Sequence, residues 1–162
     1  MKKIVTIGLL ILIMSAGNVF ALDNGFGVGG MIGEPSGATV KYIFGKYNAI
    51  DAGLDWSTWG TNAVELHADY LINNYTILKN LFNVEGENQF AYIGLGGRIK
   101  FADKIIFNNS LNSIGVRLPI GISYIFKDTP IELFLEIAFV LDVSPSTNFN
   151  LQGGVGARYY FF

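Results

Sequence analysis

The segment Glu65-Leu66-His67-Ala68-Asp69 sets two carboxylates and the only histidine of the chain at every second position. Alternate side chains of an extended strand share a face, so these three point the same way. A histidine between carboxylates has the chemistry of a metal ligand or of a proton carrier. A lone histidine among many charges is more often one member of a hydrogen-bonded network. Nucleophilic chemistry finds less support, because the chain has neither a His-x-Ser dipeptide nor a Gly-x-Ser-x-Gly elbow. It also has no cysteine, which removes disulfides, thiolate metal ligands and a lipid-modified thiol anchor. Gly25-Phe26-Gly27-Val28-Gly29-Gly30 satisfies Gly-x-Gly-x-x-Gly, but it lacks the preceding strand and the following helix of a dinucleotide site. The sequence therefore assigns no catalytic residue, no metal and no cofactor.

The remaining charges follow the same two-residue rhythm. Lys41, Arg98, Lys100, Arg117 and Arg158 alternate with apolar neighbours, and so do Asp51, Asp55, Glu132, Glu136 and Asp142. Both signs interleave on one parity, as expected of an ion-pair network that includes Glu65, His67 and Asp69. Buried charges must be paired and hydrogen-bonded, so the network reads as a structural core before it reads as an ion pathway.

The elements carrying these residues are alternating segments separated by Gly, Asn, Asp and Pro turns. Strands are expected over residues 25–33, 38–45, 49–57, 63–72, 90–101, 113–126, 131–143 and 148–161. In 49–57, Ile50, Ala52, Leu54 and Trp56 oppose Asp51, Gly53, Asp55 and Ser57. In 131–143, Leu133, Leu135, Ile137, Phe139 and Leu141 oppose Glu132, Phe134, Glu136, Ala138 and Asp142. The last strand sets Phe149, Leu151, Val155, Ala157, Tyr159 and Phe161 against Asn150, Gln152, Gly154, Gly156 and Arg158. The longest connection, 73–89, has helical spacing at Ile77, Leu78, Leu81 and Phe82. Gly94-Leu95-Gly96-Gly97-Arg98 matches Gly154-Val155-Gly156-Ala157-Arg158, and the inward glycines are expected to make room for a long arginine.

Composition narrows the class. The chain is 51% hydrophobic and 15% charged, yet beyond the first residues no apolar run is long enough to cross a bilayer as a helix. Apolar residues dealt to every second position can meet lipid only in a closed barrel, where every backbone polar group is paired. An eight-stranded antiparallel up-and-down β-barrel, all-β, is the expected fold. Aromatic residues at strand ends (Phe44, Trp56, Tyr70, Phe101, Tyr124, Phe126, Tyr159 and Phe161) suit the two interfacial girdles of such a barrel. Only Phe134 and Phe139 stand mid-strand, where core packing would put them. Lys2 and Lys3, the apolar run from Ile4 to Met14 and the Val19-Phe20-Ala21 site read as an export signal cleaved after Ala21. Residues 22–162 would then form the barrel. With 11 basic and 13 acidic residues the chain offers no basic patch for nucleic acid.

Several blocks of sequence carry a resemblance. They are Glu34-Pro35-Ser36-Gly37, Asn48-Ala49-Ile50-Asp51-Ala52, His67-Ala68-Asp69-Tyr70-Leu71, Gly115-Val116-Arg117-Leu118-Pro119-Ile120-Gly121, Pro130-Ile131-Glu132-Leu133-Phe134-Leu135-Glu136 and Asp142-Val143-Ser144-Pro145-Ser146-Thr147. With the Gly-x-Gly-x-Arg-Tyr-Tyr-Phe ending, the chain resembles the small outer-membrane barrels of spirochaetes, whose fold is similar to the OmpA transmembrane domain. The resemblance implies an outer-membrane location and no particular chemistry. The leading expectation is a structural or surface-interaction barrel with a filled lumen. A narrow channel or a lipid-modifying enzyme is the alternative, and a soluble lipocalin-like carrier comes third because its apolar face would point inward. Expected partners are outer-membrane lipid, the barrel-assembly machinery through the last strand, and a host or envelope protein. With both termini periplasmic, the outside loops would be 34–37, 58–62, 102–112 and 144–147. Ile105, Ile106 and Phe107 would form an apolar tip on the third of these. The long connection 73–89 would then lie on the periplasmic side, where turns are normally short.

Overall fold

The computed structural model describes residues 24–57, 63–82, 88–102, 112–126 and 128–161. The expected leader, residues 1–21, and the loop residues 58–62, Ile105, Ile106 and Phe107 lie outside these. Eight strands follow one another: β1 (Asn24–Glu34), β2 (Ser36–Phe44), β3 (Asn48–Ser57), β4 (Ala63–Asn74), β5 (Gln89–Ala102), β6 (Asn112–Ile125), β7 (Ile131–Ser144) and β8 (Asn148–Phe161). Each pairs antiparallel with the next, and β1 pairs antiparallel with β8, from Phe26↔Phe161 to Glu34↔Gly153. The sheet is a closed up-and-down barrel without an edge strand, as the two-residue rhythm predicts. One register irregularity falls in β6, between Ile114 and Gly115.

The two faces differ in the sense opposite to a soluble barrel. Leu95, Leu135 and Ile137 point outward and are 60%, 46% and 48% exposed, while Lys41 and Glu132 point inward and are fully buried. Outward neighbours on adjacent strands are also apolar, as in Ile122–Leu135–Val155. The result is a continuous greasy wall around a charged interior.

Between β4 and β5 lies one helix, α1 (Tyr75–Phe82). Asn74 caps it: its side-chain oxygen accepts hydrogen bonds from the backbone N–H groups of Thr76 (2.9 Å) and Ile77 (3.0 Å). Tyr75 and Leu78 are buried, whereas Ile77 and Leu81 stay exposed. The ring of Tyr75 meets that of Phe90 at 5.1 Å, so the helix sits over one mouth of the barrel. Beneath it Ile43, Ala49, Leu71, Phe90, Tyr92, Ile125 and Tyr160 form an apolar plug at the end where β1 begins and β8 ends. Through Tyr75, α1 adds to the plug at that mouth.

None of the eight aromatic residues expected in the girdles is buried, and the departure from expectation is Phe139, which faces outward although it stands mid-strand. Trp56, Tyr70, Tyr124 and Phe161 are outward and exposed, and Phe139 joins them. Phe90, Tyr92, Phe134 and Tyr160 are buried inside. Tyr160 has the parity of Arg158, and Tyr92 that of Gly94 and Arg98, so alternation assigns both to the interior even though their apolar surface suits either face.

Candidate functional site

The lumen is the one place where polar chemistry is concentrated among the described residues. Seven buried carboxylates (Asp51, Asp55, Glu65, Asp69, Glu132, Glu136 and Asp142) face four buried cations, Lys41, Arg98, Arg117 and Arg158, and His67. Each arginine stands opposite a glycine on a neighbouring strand: Arg158↔Gly29, Arg117↔Gly96 and Arg98↔Gly115. The guanidinium groups can therefore reach across an interior only wide enough for side chains.

The hydrogen bonds run in two chains. In the first, Arg98 donates to both oxygens of Asp142 (2.9 Å each) and to Glu65 (2.8 Å). Gln152 donates to Glu65 at 2.9 Å and accepts from Arg117 at 3.3 Å. Arg117 also forks to Glu136 (2.5 Å) and to Asp69, and Tyr92 donates to Glu136 at 2.8 Å. In the second chain Arg158 donates to Asp51, to Thr39 (2.8 Å) and to Glu132 (3.2 Å). Glu132 accepts further bonds from Lys41 (2.9 Å), Ser123 (2.6 Å) and Tyr160 (2.9 Å). Rings complete the cage: Arg158 stacks on Phe134 at 3.8 Å, and the Lys41 ammonium lies 4.8 Å from the Tyr92 ring. Charge-assisted and forked, these are the strong kind of hydrogen bond, and they hold staves on opposite sides of the barrel together.

His67 stands where the two chains come together. Its Nδ1 is 2.7 Å from Asp55 Oδ2 and its Nε2 is 3.3 Å from Asp51 Oδ1. Its neighbours on β4, Glu65 and Asp69, belong to the first chain. Ligand atoms of Asp51, His67 and Asp69 lie within 4.8 Å of one another, and so do those of Asp55, Glu65 and His67. These are the residues that could hold a metal. Both ring nitrogens face a carboxylate, which leaves neither free to act as a base on a hydroxyl.

The residues singled out from the sequence are not equivalent in the structure. Lys100 points inward opposite Glu65 but is only half-buried, and it joins neither chain. Thr39, Tyr92, Ser123, Gln152 and Tyr160, which the sequence did not single out, are network members. Their inward parity was the available signal. Being uncharged, they did not stand out by composition. Gly25–Gly30 lies within β1 and leads to no helix, in keeping with the rejection of a dinucleotide loop.

No protein-family model matches the chain, and no curated protein sequence does. Among solved structures, the crystal structure of the N-terminal β-barrel domain of Pseudomonas aeruginosa OprF is similar with a TM-score of 0.61 and 10% identity, over 85% of this chain and 96% of that one. Neisserial surface protein A (NspA) aligns at a TM-score of 0.47 and 14% identity, over 85% of this chain and 94% of that one. At 10% identity the likeness to the OprF domain is one of fold: an eight-stranded barrel of the kind found in bacterial outer membranes.

Proposed function

We propose that this chain is an exported outer-membrane barrel of the small spirochaete type, with a structural or surface-interaction role. The observation that carries the reading is the inversion of the two faces. An apolar outer wall is stable in lipid, and charges are tolerated inside because they are paired there. The basic and apolar N-terminal segment ending at Ala21 supports export. The last strand, Asn148–Phe161, would present the chain to the assembly machinery, and the loops at the mouth opposite the termini would meet a host or envelope protein.

The filled lumen argues against conduction. Guanidinium forks cross it, and the plug beneath α1 closes one end. It equally argues against catalysis, since carboxylates flank both ring nitrogens of His67.

The deciding experiment is reconstitution in planar bilayers. A heat-modifiable, membrane-fractionated protein that gives no discrete conductance steps is the expected result. Regular single-channel openings would replace this reading with a narrow pore, and recovery of the protein in the soluble periplasm would overturn the membrane assignment.

A further inference from the structure

We propose that His67, Asp51 and Asp69 form a binding site for a divalent transition metal, with zinc the best match to one imidazole and two carboxylates. Three observations lead there.

The first is charge. Seven buried carboxylates against four buried cations leave a surplus of negative charge even when His67 carries a proton. The surplus gathers around His67, the point closest to Asp51, Asp55, Glu65 and Asp69 together. A divalent cation at that point offsets the surplus.

The second is the geometry of the histidine. Nδ1 lies 2.7 Å from Asp55, the distance of a strong charge-assisted bond. That contact places a proton on Nδ1 and leaves Nε2 directed at Asp51, where the neutral imidazole offers a lone pair. The Nε2–Asp51 distance of 3.3 Å is long for such a bond. It matches the separation of two neighbouring ligands on tetrahedral zinc, about 3.4 Å from the usual bond lengths.

The third is the outer shell. Metal-bound histidines and carboxylates are normally held from behind by a second hydrogen-bonding group. Here Asp55 holds His67, Arg158 holds Asp51 through Oδ2, and Arg117 holds Asp69 through Oδ2. Asp51 Oδ1 is left facing the imidazole, and buried Asp69 Oδ1 has no hydrogen-bond partner. Asp69 Oδ1 lies beside Gly96 of the neighbouring strand.

The test is to refold the full chain in detergent with zinc, remove excess metal by gel filtration and measure retained metal. The parent should hold an equimolar amount. Asp69→Asn and His67→Gln should weaken retention at least about tenfold, the effect of disturbing a ligand or its support. Asp142→Asn, in the same lumen but outside the triad, should retain zinc as the parent does. Heat-modifiable mobility reports whether each variant folds. Parent protein that retains no zinc overturns the proposal, as does folded His67→Gln that retains as much as the parent. Where neither triad variant folds, cobalt loading of the parent decides. Intense visible bands of a four-coordinate centre support the site, and the weak spectrum of a six-coordinate aqua ion overturns it.

Discussion

Gly53 of β3 stands directly opposite His67 of β4, and the imidazole occupies the volume that a side chain at position 53 would need. The same relation joins Gly27 to Tyr160, Gly121 to Tyr92 and Gly156 to Phe134. Glycine on one strand supplies the width that a ring on the next strand fills. Packing rings over glycines on neighbouring strands is a known way to stabilise a sheet that would otherwise carry gaps.

Gly53→Ala should therefore destabilise the barrel by overpacking. A cost of about 1–3 kcal/mol is expected, seen as a lower urea midpoint for the refolded protein. Ala52→Val, one residue away on the outer wall, should leave the midpoint nearly unchanged. Equal effects at the two positions would show that the ring does not depend on the glycine.

Arg117→Met should be more damaging, because it strands Asp69 and Glu136 in the interior. Loss of one partner of a buried pair costs about 3–5 kcal/mol. Adding Glu136→Gln to the same chain should recover part of the loss, since one of the two stranded charges is then gone. Matching unfolding midpoints for parent and single variant would refute a structural role for this arginine.

Ile137→Arg tests what the outer wall faces. Ile137 lies mid-strand, between Ile120 and Gly153 on its neighbours. An arginine at the bilayer midplane costs about 2–4 kcal/mol, whereas one on a water-facing wall costs almost nothing. Unfolding from liposomes should show the penalty, and an unchanged midpoint would mean that this wall does not meet lipid.

Topology can be read by cysteine labelling, since the chain has none of its own. Ser146→Cys, in the exposed turn after β7, should react with a membrane-impermeant maleimide on intact cells. Tyr47→Cys, in the exposed turn on the side of the termini and α1, should react only after the outer membrane is opened. The reverse pattern would invert the barrel.

The sequence disclosed the barrel because one physical rule, alternation beneath an apolar outer wall, governs nearly every strand residue. Leu133 and Glu132 announce their faces by chemistry alone. Tyr92, Phe90 and Tyr160 do not, since an aromatic ring is at home in a girdle or over a glycine, and only register decides between them. Pairing was illegible for a related reason. Arg158 could have met any carboxylate in the lumen, and its choice of Asp51 and Glu132 follows from which strands the closed barrel sets around it. The capping role of α1 was hidden because helical spacing marks an apolar face without saying what it covers.

The arginine of the last strand has a consequence for biogenesis. Arg158 arrives with β8, after every other strand has been synthesised, and it bonds to Thr39 on β2, Asp51 on β3 and Glu132 on β7. Those groups lie on both sides of the seam where β8 meets β1. Until that seam shuts, Asp51 and Glu132 keep their water, and a hydrated open sheet cannot enter lipid cheaply. Ring closure and dehydration of the interior are therefore coupled, with Arg158 as the latch across the seam.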